Sequence, residues 1–105
     1  TEVCNVDDLP EGMSRLVMGL YGKPIALFHV NGHFGHFYAI NAICPHMGGP
    51  LQSGKLEGMV IFCPWHQWSF CIDTGEPDHP GGHRISTYQV KIENGSVWVG
   101  CLYPG

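Results

Sequence analysis

Two short segments rich in cysteine, histidine and proline hold the side chains best suited to chemistry. The first reads Cys-Pro-His-Met-Gly-Gly from Cys44, and the second reads Cys-Pro-Trp-His-Gln-Trp from Cys63. Their pattern is C-x-H, sixteen intervening residues, then C-x-x-H. Thiolates suit iron–sulfur clusters and zinc, whereas imidazole suits zinc, copper, iron or nickel. The spacing therefore predicts a metal centre formed by Cys44, His46, Cys63 and His66.

Two kinds of metal centre are compatible with these four side chains. A structural zinc site of the Cys₂His₂ type is closed and tetrahedral, and its thiolates are usually spaced C-x₂₋₄-C. Here the two cysteines lie 19 positions apart, and each is paired with a histidine. A [2Fe–2S] cluster with two cysteines on one iron and two histidines on the other requires this mixed pairing. Pro45, Pro64 and Gly48-Gly49 also suit loops whose backbone N–H groups approach sulfur.

The two segments resemble the motif of the Rieske iron–sulfur proteins, specifically the small soluble Rieske-type ferredoxins. The resemblance extends from about Val3 to Val99, with family-like Gly-Lys-Pro-Ile before the first hairpin and Asp-Thr-Gly after the second segment. It implies an all-β fold, in which an antiparallel β-sandwich or barrel base carries an inserted cluster-binding subdomain.

The resemblance also implies a ligand set and a function. Cys44 and Cys63 are expected to hold the inner iron, and His46 and His66 the outer iron near the surface. The implied function is one-electron transfer from an NAD(P)H-dependent flavoprotein reductase to a terminal oxygenase, often an aromatic ring-hydroxylating dioxygenase. The motif looks equally like the small subunit of an assimilatory NAD(P)H nitrite reductase, which is the main alternative. A zinc-stabilised binding module is the third.

The positioning elements are predicted to be strands. Glycine punctuates short apolar and β-branched runs, and two Asn-Gly dipeptides, at 31–32 and 94–95, are typical of type I′ hairpin turns. Only three alanines are present, which argues against long helices. Tyr88, Val90 and Ile92 recur at the strand period of two, which places them on one face of a strand. Strands are predicted at 13–20, 24–30, 33–41, 59–62, 69–72, 84–92 and 96–102.

The length, the charge and the lack of long apolar runs limit the classes of protein to which the chain can belong. With 105 residues, a net charge of −4 and five basic residues, the chain predicts one domain over 1–105 and no nucleic-acid partner. The cluster-binding subdomain is predicted at about 43–82, where Gly, Pro, Cys and His dominate. No apolar run reaches the roughly 20 residues of a membrane span, and the first residues lack signal-peptide features. We therefore expect a cytoplasmic electron-transfer protein with no membrane partner and no catalytic site of its own.

The remaining cysteines and histidines have ordinary interpretations. Buried free cysteine is commonly a small hydrophobe, and this is the expectation for Cys4, Cys71 and Cys101. Three histidines of the first hairpin are interpreted as surface or hydrogen-bonded core residues rather than as a second metal site: His29, His33 and His36.

The positions at which this chain differs from high-potential family members predict a low reduction potential. Those members carry an extra cysteine in each loop, joined by a disulfide, where this chain has Gly49 and Trp65. They also direct serine and tyrosine hydroxyls toward the cluster, where this chain has Trp68 and Phe70. Each lost donor destabilises the reduced cluster. We expect a midpoint toward the low end of the Rieske range, roughly −150 to +300 mV. A redox titration giving a midpoint above roughly +100 mV would contradict this expectation.

Overall fold

Short turns separate nine strands in the part of the chain that the structure describes. The computed structural model describes residues 2–19, 22–30, 37–43, 50–64, 69–77 and 84–102. The strands are β1 (Glu2–Asn5), β2 (Ser14–Met18), β3 (Pro24–His29), β4 (Phe37–Asn41), β5 (Lys55–Glu57), β6 (Val60–Phe62), β7 (Ser69–Cys71), β8 (Thr87–Glu93) and β9 (Ser96–Leu102). Two 3₁₀ turns accompany them, Val6–Asp8 and Leu51–Ser53, and the described residues contain no α-helix. This agrees with the scarcity of alanine.

The strands form two antiparallel sheets. The larger sheet has the order β1-β9-β8-β4-β3-β2, and the smaller has the order β5-β6-β7. The two edge strands contribute to the same apolar cluster, because Cys4 of β1 packs against the cluster that contains Val17 of β2. The larger sheet therefore curls into a nearly closed barrel, and the predicted all-β antiparallel architecture is confirmed.

Strand β3 is buried on both faces, and this divides the apolar interior in two. Ile25 and Leu27 face the inside of the barrel, whereas Ala26 and Phe28 face the smaller sheet, and all four are 0% exposed. The barrel core contains Leu9, Val17, Ile25, Leu27, Phe37, Ala39, Val97 and Val99. The interface core, between the sheets, contains Ala26, Phe28, Ile40, Ala42, Leu51, Ile61, Cys63, Phe70, Ile72 and Ile85.

The hairpin β8–β9 confirms one predicted turn. Asn94 and Gly95 both have positive φ, 53° and 78°, as a type I′ turn requires. Strand β9 has the predicted bounds, and β2, β3, β6 and β7 lie within theirs. Strand β4 confirms the later part of the predicted 33–41 strand, while residues 33–36 and the turn at Asn31-Gly32 lie outside the described residues.

Strand β8 differs from the prediction at both ends. It begins at Thr87, not at Arg84, and Arg84 and Ile85 bond to the turn after β7 instead of to a strand. The Ile85 N–H donates to the Gly75 carbonyl at 2.7 Å, and Arg84 Nε donates to the Thr74 carbonyl at 3.2 Å.

The apolar residues of β8 differ in burial. Tyr88 and Val90 pack against the barrel core, whereas Ile92 is 49% exposed. The described pairing of β4 with β8 consists of Ala39 with Tyr88 and Ile40 with Thr87.

Two strands have no counterpart in the sequence prediction. Strand β1 pairs with β9, and its residues are half-buried or exposed, so it shows no clear apolar alternation. Strand β5 is three residues long and turns only Leu56 toward the interface core. In the part of the chain that the structure describes, no helix is long and apolar enough to cross a membrane.

The different burial of two isoleucines predicts a large difference in the stability lost when each is replaced by alanine. Ile40→Ala removes a side chain that is 0% exposed, and we expect the free energy of unfolding to fall by roughly 2–5 kcal/mol. The matched variant Ile92→Ala, at a half-exposed site in β8, should cost less than about 1 kcal/mol. Urea denaturation followed by circular dichroism measures both. Equal losses would contradict the assignment of the core to this face of β4.

Candidate metal centre

The second Cys/His segment connects two strands of the smaller sheet at one end. Lys55 of β5 pairs with Phe62 of β6, which pairs with Ser69 of β7, so the three residues form one row across the sheet. Cys63 follows Phe62 directly, and the segment returns to the sheet at Ser69. The pairing of β6 with β7 therefore fixes both ends of this segment.

The first segment is closed at its base by contacts with the larger sheet. Ile43 and Pro50, which flank it, form an antiparallel bridge. The Leu51 N–H donates to the Ala42 carbonyl at 2.9 Å, and the Ala42 N–H donates to the Pro24 carbonyl at 3.1 Å. The six residues between Ile43 and Pro50 therefore leave and return at one point, beside the end of β4.

The two segments share one region of the molecule. The chain leaves the first segment at Pro50, passes through the turn Leu51–Ser53 and enters β5 at Lys55. Lys55 lies beside Phe62, the residue before Cys63. The end of the first segment and the beginning of the second are therefore neighbours, as a shared metal centre requires.

Cys63 is the predicted ligand that the structure describes. Its side chain is 1% exposed, belongs to the interface core and forms no disulfide. A cavity of about 310 Å³ adjoins it, lined by Lys55, Glu57, Phe62, Cys63 and Pro64. A buried, unoxidised thiol beside open space fits a cluster ligand.

The other three predicted ligands, Cys44, His46 and His66, lie outside the described residues. Within the described ranges, no group of three or more His, Cys, Asp or Glu side chains is placed to hold a metal ion. The ligand set therefore remains a prediction, supported by Cys63 and by the juxtaposition of the two segments.

Phe70 occupies the position at which high-potential family members carry a tyrosine. It is 0% exposed and packs in the interface core with Cys63. This aromatic side chain offers no hydroxyl, which agrees with the sequence-based expectation of a low potential. Gly49, Trp65 and Trp68 lie outside the described residues.

A tight turn after β7 attaches the smaller sheet to β8. The Gly75 N–H donates to the Cys71 carbonyl at 2.8 Å, and the Cys71 N–H donates to the Glu76 carbonyl at 2.8 Å. Gly75 has φ +78°, and a Cβ there would overlap the carbonyl oxygen of Ile85. Both its conformation and the close approach of the Ile85 backbone thus require glycine.

Of the cysteines expected to be buried, Cys4 and Cys71 are half-buried instead, and the side chain of Cys101 lies outside the described part of the chain. Cys4 is half-buried against the barrel core, and burial raises the pKa of its thiol, partly offset by Arg15. Cys71 is half-buried in β7. His29 Nδ1 lies 2.6 Å from the Leu9 carbonyl, and the ring stacks on Phe37 at 4.3 Å between centroids. These contacts do not suggest a metal site.

Comparisons with known proteins agree with this arrangement. A family model described as the Rieske [2Fe–2S] domain matches residues 1–89. The ferredoxin component of the naphthalene 1,2-dioxygenase/salicylate 5-hydroxylase systems of Ralstonia is 41% identical over 90 residues, covering 85% of this chain and 83% of that protein. Human apoptosis-inducing factor 3 is 42% identical over 98 residues, covering 92% of this chain. The chain spans only 16% of the length of that human protein.

Solved structures show the same fold. A chain of the complex of reduced oxygenase and oxidised ferredoxin of carbazole 1,9a-dioxygenase superposes with a TM-score of 0.84 at 32% identity, covering 95% of this chain and 91% of that chain. A nitrite reductase small subunit from Mycobacterium tuberculosis superposes with a TM-score of 0.83 at 21% identity, covering 100% of this chain and 95% of that chain. The second likeness shows the fold alone.

Tyr38 of β4 and Asp73 in the turn after β7 lead to a prediction of how stability depends on pH. Burial, reinforced by the negative charge of Asp73, raises the pKa of Tyr38 above its ordinary value of 10.0. This group therefore leaves stability unchanged below about pH 10 and reduces it as the pH rises further, since the unfolded chain releases the proton first. Asp73→Asn should lower the pKa of Tyr38, and Glu76→Gln should leave it unchanged. Titration of the tyrosine Cζ resonances by NMR measures both, and equal effects would contradict the contact.

Proposed function

The chain belongs to the Rieske [2Fe–2S] domain family, and from that premise we propose that it is a one-electron carrier. It accepts an electron from an NAD(P)H-dependent flavoprotein reductase and delivers it to a terminal oxygenase, such as that of an aromatic ring-hydroxylating dioxygenase system. In this role the chain converts no substrate itself. It binds, orients and shields a Rieske-type [2Fe–2S] cluster, which supplies the one-electron couple when bound.

The proposed ligands are the four residues of the motif. Cys44 and Cys63 would hold one iron through thiolates, and His46 and His66 would hold the other through neutral imidazole nitrogens. The burial of Cys63 supports the placement of the thiolate side away from water. The second ring nitrogen of each histidine is free to exchange a proton as the charge of the site changes.

The extent of the ferredoxin matches is the observation that carries the functional proposal. The alignment covers 83% of the Ralstonia ferredoxin component and 85% of this chain. The carbazole dioxygenase structure that matches at 32% identity contains a ferredoxin together with its oxygenase. These relatives support the oxygenase as electron acceptor, while the flavoprotein reductase as donor rests on the family resemblance.

The alternatives have weaker support. The nitrite reductase small subunit, at 21% identity, shares the fold but carries no argument about partners. The zinc-binding module is disfavoured by membership of an iron–sulfur family. The likeness to apoptosis-inducing factor 3 shows that a segment of this kind also occurs within a much longer protein.

We place the cluster-binding subdomain at residues 43–82 within a single domain of 105 residues. The three-stranded sheet β5-β6-β7 lies within these limits and has its own pairing, which supports the division. We also propose a cytoplasmic location. Cys4, Cys63 and Cys71 are free thiols in the structure, and structural disulfides are rare in that compartment.

Metal analysis and electron transfer together test the function. We expect the purified chain to contain two irons and two sulfides, to be reddish-brown, and to give the electron paramagnetic resonance signal of mixed His/Cys ligation when reduced. With NADH and the reductase and oxygenase of a naphthalene dioxygenase system, it should sustain product formation. Cys63→Ser and His66→Ala should lose most of the visible absorbance and the transfer rate, since each removes a ligand.

The matched controls are Cys4→Ser and His29→Ala, which replace the same residue types in the larger sheet. Both should retain the cluster. A colourless protein holding one zinc would overturn the proposal, as would a stable complex with a large sirohaem protein in place of free exchange. Full cluster content in Cys63→Ser or His66→Ala would refute that ligand assignment.

A further inference from the structure

The turn Leu51–Gly54, which we name the bracing turn, contacts residues that flank both ligand segments. On one side, the Leu51 N–H bonds to the Ala42 carbonyl and closes the base of the first segment. On the other side, Gly54 lies against the carbonyl group of Phe62, the residue that precedes Cys63. Four consecutive residues thus span the distance between the two segments.

Gly54 is required by space rather than by conformation. Its φ and ψ are −78° and 178°, an extended backbone that any residue adopts. A Cβ at this position would overlap the Phe62 carbonyl oxygen and lie 3.0 Å from the Phe62 carbonyl carbon. Both atoms belong to backbone, so neither can rotate away as the end of a flexible side chain would. Any side chain at position 54 must therefore separate the bracing turn from the backbone at Cys63.

The bracing turn also has a firm attachment to the barrel. The Ser14 hydroxyl of β2 donates to the Gln52 carbonyl at 2.6 Å, across 38 residues of sequence. Leu51 is 0% exposed in the interface core. Within the turn, the Ser53 and Gly54 N–H groups donate to the Pro50 and Leu51 carbonyls, at 3.0 and 3.1 Å. The turn is therefore held to β2, to the core and to itself.

We propose that Gly54 and Ser14 are positioning residues that fix the separation of the two ligand segments and, through it, the reduction potential of the bound cluster. This inference rests on the proposed function, because it concerns the same cluster. Neither residue is one of the four predicted ligands. Their effect passes through the backbone at Phe62–Cys63 and through the turn that follows the first segment.

A change in loop separation alters the potential for a physical reason. The potential of an iron–sulfur cluster depends on hydrogen bonds to its sulfurs and on its exposure to water. Backbone N–H groups beside such a cluster would donate to its sulfurs only while the backbone remains close. Separation of the segments weakens this donation, which destabilises the reduced state and lowers the midpoint.

The first test compares two glycines in the complete, cluster-loaded chain. Gly54→Ala should lower the equilibrium constant for reduction by a factor of three to ten, which is about 28 to 59 mV for a one-electron couple. Gly100→Ala is the control, because a Cβ there meets only Gln89 at an ordinary 3.9 Å. Its midpoint and its electron paramagnetic resonance spectrum should match those of the unsubstituted chain.

The second test removes one hydroxyl and leaves the packing at Phe62 intact. Ser14→Ala loses the bond to the Gln52 carbonyl and should shift the midpoint in the same direction by a smaller factor, while Ser14→Thr, which keeps a hydroxyl, should restore it. Thermal unfolding is measured on every variant. A merely structural role would lower the melting temperature and leave the midpoint and the spectrum unchanged.

The outcomes separate this inference from the function on which it rests. If the unsubstituted chain binds no [2Fe–2S] cluster, the proposed function fails. If it binds the cluster, and both Gly54→Ala and Ser14→Ala keep its midpoint and spectrum, the positioning role is refuted. If Gly54→Ala yields no folded holoprotein, the comparison of Ser14→Ala with Ser14→Thr decides alone.

Discussion

The burial of β3 on both faces is the constraint on which the rest of the structure depends. Four consecutive side chains, Ile25 to Phe28, are fully inaccessible to water. Because alternate side chains of a strand point to opposite faces, such a strand needs apolar cover on both sides. Curling of the larger sheet covers one side, and the smaller sheet covers the other. The segment between β4 and β8 is therefore packed as well as loop-rich, and its packing is what gives the candidate metal centre a fixed base.

Much of the barrel could be predicted because its signals are local. The Asn94-Gly95 turn and the bounds of β9 follow from residues that are adjacent in sequence. The features that the sequence does not predict have a non-local cause. Ile92 continues the alternation of Tyr88 and Val90, yet it is 49% exposed, because burial depends on what packs against a strand. Strand β1 was missed because its partner, β9, lies some 90 residues away in sequence and its own pattern is weak.

The candidate metal centre likewise has features that the sequence predicts and features that only the structure shows. The residue types and spacing of the motif predict the chemistry, and the structure adds the burial of Cys63 and the shared location of the two segments. The sequence could not indicate the role of Gly54, because nothing in a run such as Gln-Ser-Gly-Lys distinguishes a glycine required by a distant carbonyl from a flexible one. The Gly75 contact with Ile85 has the same non-local character. Close backbone approaches are made between segments, and only the fold brings the segments together.

The register of β6 has a consequence for how the chain can evolve. Ile61 and Cys63 are two positions apart and both face the interface core. A single-residue insertion or deletion within β6 that kept the preceding pairing would turn the following side chains to the opposite face. The thiol would then point to water, although every residue of the motif and its C-x-x-H spacing remained. The capacity to hold the metal is thus encoded partly in strand parity, which a search for the motif alone does not detect.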